Sequence, residues 1–349
     1  IYVSQGALTL DGCTLAANGM ASVGIGDMKY GGGIYSANNV NLVIRNSTVR
    51  GNFIYGQTTQ QGAGIYAGGG NILITNSIID GNFGGTYRAY GGALHITGAD
   101  SLVIARTTCT SNYTSGSTAS GAVAFVTACA NVRISDSAII DNARVGSSDD
   151  LVFIGNSKSL IEYSNLRGGA RHGINQSGYG ILTVSNCLIV AQTNNGIQFD
   201  TGTGRFVNVT LSNNGGWGVS NLLGQVTVVN AIAWGNAGGG LTTNCGVSFS
   251  CLQEPSIIGE GNLTNDPLFA DTLYFHEQSR GGTYTGGCFE AGGWASFKSN
   301  SPAIDKGDST YAYQNEPAPN GLCINMGAYG NTAVASKSMG GFHVLISIR

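Results

Sequence analysis

The sequence predicts an all-β fold: a right-handed, single-stranded parallel β-helix (a solenoid) of about nine coils, followed by an irregular C-terminal cap segment. Three observations predict it. Of 349 residues, 56 are Gly and 32 are Asn, only 5 are Pro, and only 10% are charged. An ordinary soluble domain carries roughly 25% charged residues. An apolar–polar–apolar segment recurs, and its central positions Asn46, Asn76, Arg106, Asp136, Tyr163, Asn186, Asn208 and Asn230 are 30, 30, 30, 27, 23, 22 and 22 residues apart. Between its copies lies a shorter stretch with apolar residues at alternate positions. A period of this length, built from short strands and Gly/Asn turns, is a coil that buries its apolar face only by stacking on its neighbours. A rise of ~4.8 Å per coil gives a rod on the order of 40 Å long.

The same composition excludes other classes. Gly without Pro and without a three-residue period is not collagen-like. A 42% hydrophobic share and a mean hydropathy of +0.07 are too apolar for a disordered chain. A net charge of −3 with no Lys/Arg-rich run argues against a nucleic-acid surface. No apolar run approaches the ~18 residues of a membrane span. A leucine-rich-repeat horseshoe would need several Leu per repeat at fixed offsets, which are missing.

The elements follow in chain order within each coil. The recurring segment (42–49, 72–79, 102–109, 132–139, 160–166, 182–189, 206–211 and 226–233) supplies Ile, Val and Leu to a narrow interior. The second stretch (33–36, 64–67, 93–96, 123–126, 151–154, 173–176, 196–199 and 218–221) has an apolar second residue, predicted to face inward, and a variable third residue, predicted to face outward. Its outward column reads Tyr35, Tyr66, His95, Phe125 and Phe153 and stops at Asn175. Aromatics in such a column offer a surface for sugar rings or a partner, or else pack under neighbouring loops. A third marker, Asn18, Asn52, Asn82, Asn112, Asn142, Asn214 and Asn236, predicts an amide ladder along the rod. In the first coils about eight extra residues precede the next Gly-rich strand, at 53–62, 83–91, 113–120 and 143–150. Insertions at one position of successive coils must stack into a ledge of loops, which would carry Tyr55, Tyr87, Arg88, Tyr90, Tyr113, Arg144, Asp149 and Asp150.

At these motifs two resemblances arise. The Gly91-Gly-Ala-Leu94 strand with the Thr110-Ser-Asn112 turn resembles the repeats of β-helix surface proteins, polymorphic outer-membrane proteins among them, over roughly residues 1–250. The tail reads Asn265-Asp-Pro-Leu-Phe-Ala-Asp271, Ser301-Pro-Ala-Ile-Asp-Lys-Gly-Asp308, Asn315-Glu-Pro-Ala-Pro-Asn320 and Ile324-Asn-Met-Gly-Ala-Tyr-Gly330. It is similar to the segment of bacterial β-helix proteins described as choice-of-anchor. Together the resemblances imply a secreted or cell-surface bacterial protein and no particular reaction. On this basis the chain divides into a β-helix over 1–250 and a cap segment over 251–349. It opens at Ile1 without a signal peptide, as expected of a mature form.

Eight Cys without a CxxC pair disfavour a zinc or thioredoxin-type site, so no metal or cofactor is expected. For an exported chain, disulfides Cys245–Cys251 and Cys288–Cys323 are expected. The one candidate for catalysis joins two coils: Asp149-Asp150 and Arg171-His172 stand 22 residues, one coil, apart. This stacking predicts Asp149 beside Arg171 and Asp150 beside His172. Two carboxylates with a His and an Arg suit acid–base work on a sugar. The arrangement resembles part of the polygalacturonase site, with its DD pair and GHG motif. The chain departs from that pattern one coil earlier, at Gly121-Ala-Val-Ala124, and one coil later, at Gly196-Ile-Gln-Phe-Asp200. Pectate-lyase chemistry would want clustered acidic Ca²⁺ ligands with a catalytic Arg or Lys. The expectation is therefore a structural, adhesive or glycan-binding exoprotein whose partner is a polysaccharide, a cell-surface glycan or further copies of itself. The alternative is a polysaccharide hydrolase or lyase using Asp149, Asp150 and His172, with Arg144 and Arg171 on substrate.

Overall fold

The computed structural model describes residues 1–22, 28–85, 88–115, 118–142, 149–169, 171–257, 259–287 and 291–339. Within them the chain forms strands and turns and no helix. The outward-aromatic stretch of each coil builds one parallel sheet of ten strands, from Tyr2–Val3 through Ile34–Ser36 and Ile65–Ala67 to Gly239–Leu241. That is two rungs more than the eight copies of the repeat pattern, because the terminal strands Tyr2–Val3 and Gly239–Leu241 are too short and too divergent to register as copies.

The recurring segment builds a second, 18-stranded parallel sheet. Most coils contribute a strand, a kink and a second strand, as in Asn71–Thr75, Asn76 and Ile78–Asp80, and two run through the kink as one strand, Ile181–Val190 and Thr203–Ser212. The register is one coil per rung: Ile72 pairs with Leu42 on one side and Leu102 on the other. The eight marker residues are the kinks. All lie in the left-handed region, with φ from 46° at Tyr163 to 54° at Asn230. Asn recurs there because its short polar side chain tolerates that conformation better than other L residues. Alternate residues of the flanking strands, such as Ile72 and Ile74, point into one continuous apolar core. Each such side chain contributes roughly 1.5–3 kcal/mol by leaving water.

The amide ladder forms as the spacing predicts. Asn18, Asn52, Asn82, Asn112 and Asn142 are linked in series, each Nδ2 donating to the next Oδ1 at 2.9–3.0 Å. The same oxygens accept the preceding main-chain N–H at 3.0–3.1 Å. The ladder is interrupted at Gly169 and resumes with Asn214 and Asn236, flanked by Gln192 and Gln253. It satisfies main-chain groups at a sharp corner that no strand can reach.

The insertions differ from the expected ledge of loops. They form two further four-stranded parallel sheets. One stacks Gly19–Ser22, Phe53–Gly56, Phe83–Gly85 and Tyr113–Thr114; the other stacks Lys29–Tyr30, Thr59–Gln61, Arg88–Tyr90 and Thr118–Ser120. Equivalent backbones one coil apart pair with each other, so the extra residues widen the coil and gain an interior of their own. Ile54 and Ala89 are fully buried there. The buried Gln60 amide donates to Gly56 O at 2.7 Å and accepts from Gly85 N at 2.7 Å.

At the far end, Gly246–Ser248 and Cys251–Leu252 add the last rung, and Val247, Cys245 and Ile257 close the core. Residues 265–287 and 291–339 then lie along the flank of the last four rungs. Asn186 donates to the Ala328 and Gly330 carbonyls at 3.1 and 2.8 Å, and Asn230 Oδ1 accepts from Asp308 N at 2.7 Å. This cover explains an asymmetry: outward Ile78 in an early coil is 48% exposed, whereas outward Leu188 is 3% exposed.

No disulfide forms among the described residues, which corrects that expectation. Cys245 belongs to the rod interior, whereas Cys251 faces outward beneath Ala303 and Met326 of the flanking segment. The two thiols thus occupy different apolar compartments and cannot approach. Cys323 is a free thiol, its Sγ 3.3 Å from Gly307 O, and Cys288 lies outside the described residues.

Candidate functional site: a buried acid pair and an aromatic corner

Asp149 and Asp150 stand where the widened coils give way to narrow ones. Asp149 Oδ2 accepts the main-chain N–H of Thr114 at 3.0 Å, in the place of a further strand of that side sheet. Asp150 Oδ2 accepts from Ser120 Oγ at 3.0 Å and Asn175 Nδ2 at 2.8 Å. The backbones stack one coil apart as expected, with Arg171 N donating to Asp149 O and Leu151 N to His172 O. The side chains pair differently from the expectation. Arg171 Nε lies 3.5 Å from Asp150 rather than beside Asp149, because Asp149 is already turned toward Thr114. His172 Nδ1 accepts Asn195 N at 3.2 Å, which makes it a neutral ring protonated at Nε2.

Burial sets the electrostatics. Asp149 is 0%, Asp150 1% and His172 4% exposed, while the Arg171 side chain is 44% exposed. Loss of solvent pushes the Asp149 carboxyl up to about 6, against the Thr114 hydrogen bonds that pull it down. Burial also raises Asp150, offset by Asn175 and Arg171. His172 falls to about 4, through burial first and the Arg171 charge second. Two carboxylates in unlike surroundings are a pattern of acid–base pairs. Here neither presents an oxygen at the surface, and only the Arg171 guanidinium reaches solvent. In place, Asp149 and Asp150 cap the two side sheets by accepting from Thr114 N and Ser120 Oγ.

The aromatic column is the more accessible feature. Tyr35, Tyr66, His95, Phe125 and Phe153 stack at centroid spacings of 4.5–5.3 Å with ring planes within 25° of each other. Tyr2 extends it at 5.2 Å, a member that the sequence pattern missed. His95 is held flat between Tyr66 and Phe125, and burial lowers its pKa to about 4, so it is an uncharged ring at neutral pH. Rings stacked this way spend their faces on one another and turn edges and hydroxyls outward. Tilted rings come from the side sheet. Tyr30 leans 59° over Tyr35 and Tyr66 at 5.9 and 4.7 Å, and Tyr90 leans 46° over Phe125 at 4.9 Å. A tight glycine turn brings the two sheets to this corner: Gly62 has φ +63°, and a Cβ there would lie 2.1 Å from Ile65 O. At the corner's N-terminal end, Tyr2, Lys29, Tyr30 and Tyr35 line a cavity of about 460 Å³.

Arg88 sits exposed on its side strand; Tyr87 and Arg144 lie outside the described residues. A second ring stack, Phe53–Phe83–Tyr113 at 5.8 and 5.2 Å, had no signal beyond its 30-residue spacing. Among the described residues no three His, Cys, Asp or Glu converge to hold a metal, and no helix is long and apolar enough to cross a membrane.

Comparison with known families, curated proteins and solved structures gives no match.

Proposed function

We propose that the protein is a secreted or cell-surface rod that binds polysaccharide without cleaving it, and that the aromatic corner is its binding face. The observation that carries this reading is the pair of tilted tyrosines, Tyr30 and Tyr90, set over a half-buried ring column on the widened coils. Tilted rings keep part of a face for a sugar, and the column beside them supplies hydroxyl edges for hydrogen bonds. Six rungs of such surface suit a polymer that runs along the rod rather than a single small sugar. Affinity electrophoresis against a panel of soluble polysaccharides tests it. Tyr30→Ala and Tyr90→Ala should each weaken retention about tenfold, near 1.4 kcal/mol. Unchanged retention in both variants, on a polysaccharide that the wild type binds, overturns the assignment.

A second reading keeps Asp149, Asp150 and His172 as a hydrolytic set with Arg171 on substrate. In its favour stand the unlike environments of the two carboxylates. Against it stands their burial.

A further inference from the structure

Between the rod and the flanking segment lies a carboxyl group that neither the fold nor the proposed function accounts for. Glu277 is 0% exposed, and neither side-chain oxygen has a hydrogen-bond partner among the described residues. It sits at the seat of the segment, between two apolar contacts. One joins Leu188 and Val190 of the rod to Phe275, Ala328 and Tyr329; the other joins Ile232 and Cys251 to Ala303 and Met326. The space over Gly327 shows how tightly the seat closes: a Cβ there would lie 2.8 Å from Ile232 Cδ1, 2.8 Å from Thr210 Oγ1 and 3.1 Å from Glu277 Oε1. Full burial without a close hydrogen-bond donor disfavours the ionised carboxylate there.

We propose that Glu277 is a protonation latch: the segment of residues 265–287 and 291–339 stays seated on the last four rungs while this carboxyl carries its proton, and unseats as the proton is released to solvent.

The surroundings fix where the latch operates. Burial pushes Glu277 up to about 8, against the pull of its own main-chain N–H and the Ser336 hydroxyl, and the nearby Glu316 charge adds to the rise. Glu316 is buried too and is pushed up to about 7 while its Oε1 accepts Asn325 N and Asn331 N at 2.8 Å; Asp305 raises it further. From the same stretch, His276 stacks on Tyr329 at 3.6 Å and is lowered to about 4. From the rod, Cys251 is raised to about 12, in part by Asp266 and Glu277. Ser336 donates its hydroxyl to the Glu277 main-chain carbonyl at 2.6 Å, and Lys337 is placed 4.1 Å over the Trp294 ring. Both Glu277 and Glu316 hold protons more tightly when seated than when exposed, so seating weakens as pH rises from the free-carboxyl range and levels off above about 8. His276 works in the opposite sense, and only up to the ordinary His value near 6.5. Between pH 7 and 8 the response is therefore mainly that of Glu277.

Native-state hydrogen exchange on the full chain, corrected for intrinsic rates, reads the opening constant of the segment's amides directly. In the wild type it should rise about tenfold from pH 7 to pH 8, about fivefold from Glu277 and about twofold from Glu316, while amides of the middle coils stay flat. Glu277→Gln should reduce that rise to about twofold or less, the share left to Glu316. Glu316→Gln should keep the Glu277 share of the rise but make it level off at lower pH. A flat wild-type response, or the full rise retained in Glu277→Gln, overturns the proposal. If Glu277→Gln does not fold, an unshifted Glu316→Gln profile overturns it instead.

Discussion

Asp149 shows how a single buried carboxyl acts as both a backbone partner and a pH-dependent liability. Its Oδ2 occupies the place of a missing strand opposite Thr114 N. Because its folded pKa is raised from 3.8 to about 6, the folded state keeps a proton that the unfolded chain has lost. The sign follows: this group's contribution falls as pH rises from about 4 to 6 and is constant above, a loss on the order of 3 kcal/mol. Asp149→Asn keeps an acceptor for Thr114 and removes the titration. Thermal melts from pH 4 to 7 should therefore show the variant gaining on the wild type across that interval; parallel curves would refute the assignment. At this scale the sequence was only partly legible. It singled out Asp149, Asp150, Arg171 and His172 by their one-coil spacing. The final side-chain pairing depends on rotamers and on the Thr114 donor, which spacing does not encode. Likewise, Asn46 to Asn230 stood out as repeat markers, yet Arg106, Asp136 and Tyr163 share the same left-handed kink for reasons of coil geometry rather than residue type.

Among the elements, the amide ladder does the most with the fewest residues. Asn112 donates to Ile79 O, Thr110 O and Asn142 Oδ1 at 2.8–2.9 Å and accepts two bonds from Asn82 at 3.0 Å. Its truncation leaves buried main-chain groups unpaired on three neighbouring turns. Asn112→Ala should cost about 3–5 kcal/mol in urea unfolding, a loss at the severe end for one residue. A cost below about 1 kcal/mol would mean that the corner is held by the strands alone. The ladder was legible because its period is strict. The side sheets were not, because stretches such as 53–62 stand as insertions against the repeat markers and their Gly and Gln break any apolar alternation, although Phe53, Ile54, Tyr55, Thr58 and Thr59 favour strand. Their strands form because each copy finds an equivalent backbone one coil away, a pairing that alternation within one copy does not reveal.

For the whole molecule, the two halves of the rod carry different attachments. The early coils are widened and bear the aromatic corner, and the last four rungs are covered by the flanking segment. Low charge fits this build, since a rod of stacked coils exposes mainly polar, uncharged turns. The rod itself was legible from periodicity. The flanking segment was legible as irregular from its Pro and Gly, but its seat against Leu188, Val190 and Ile232 was not, because those residues continue the strand pattern and only their cover sets them apart. The proposed role is binding without cleavage. The most direct test incubates the protein with each polysaccharide that it retains and measures reducing ends and unsaturated products over time. Retention with no product above the protein-free control is the expected result; product formation that Asp150→Asn abolishes would contradict binding without cleavage.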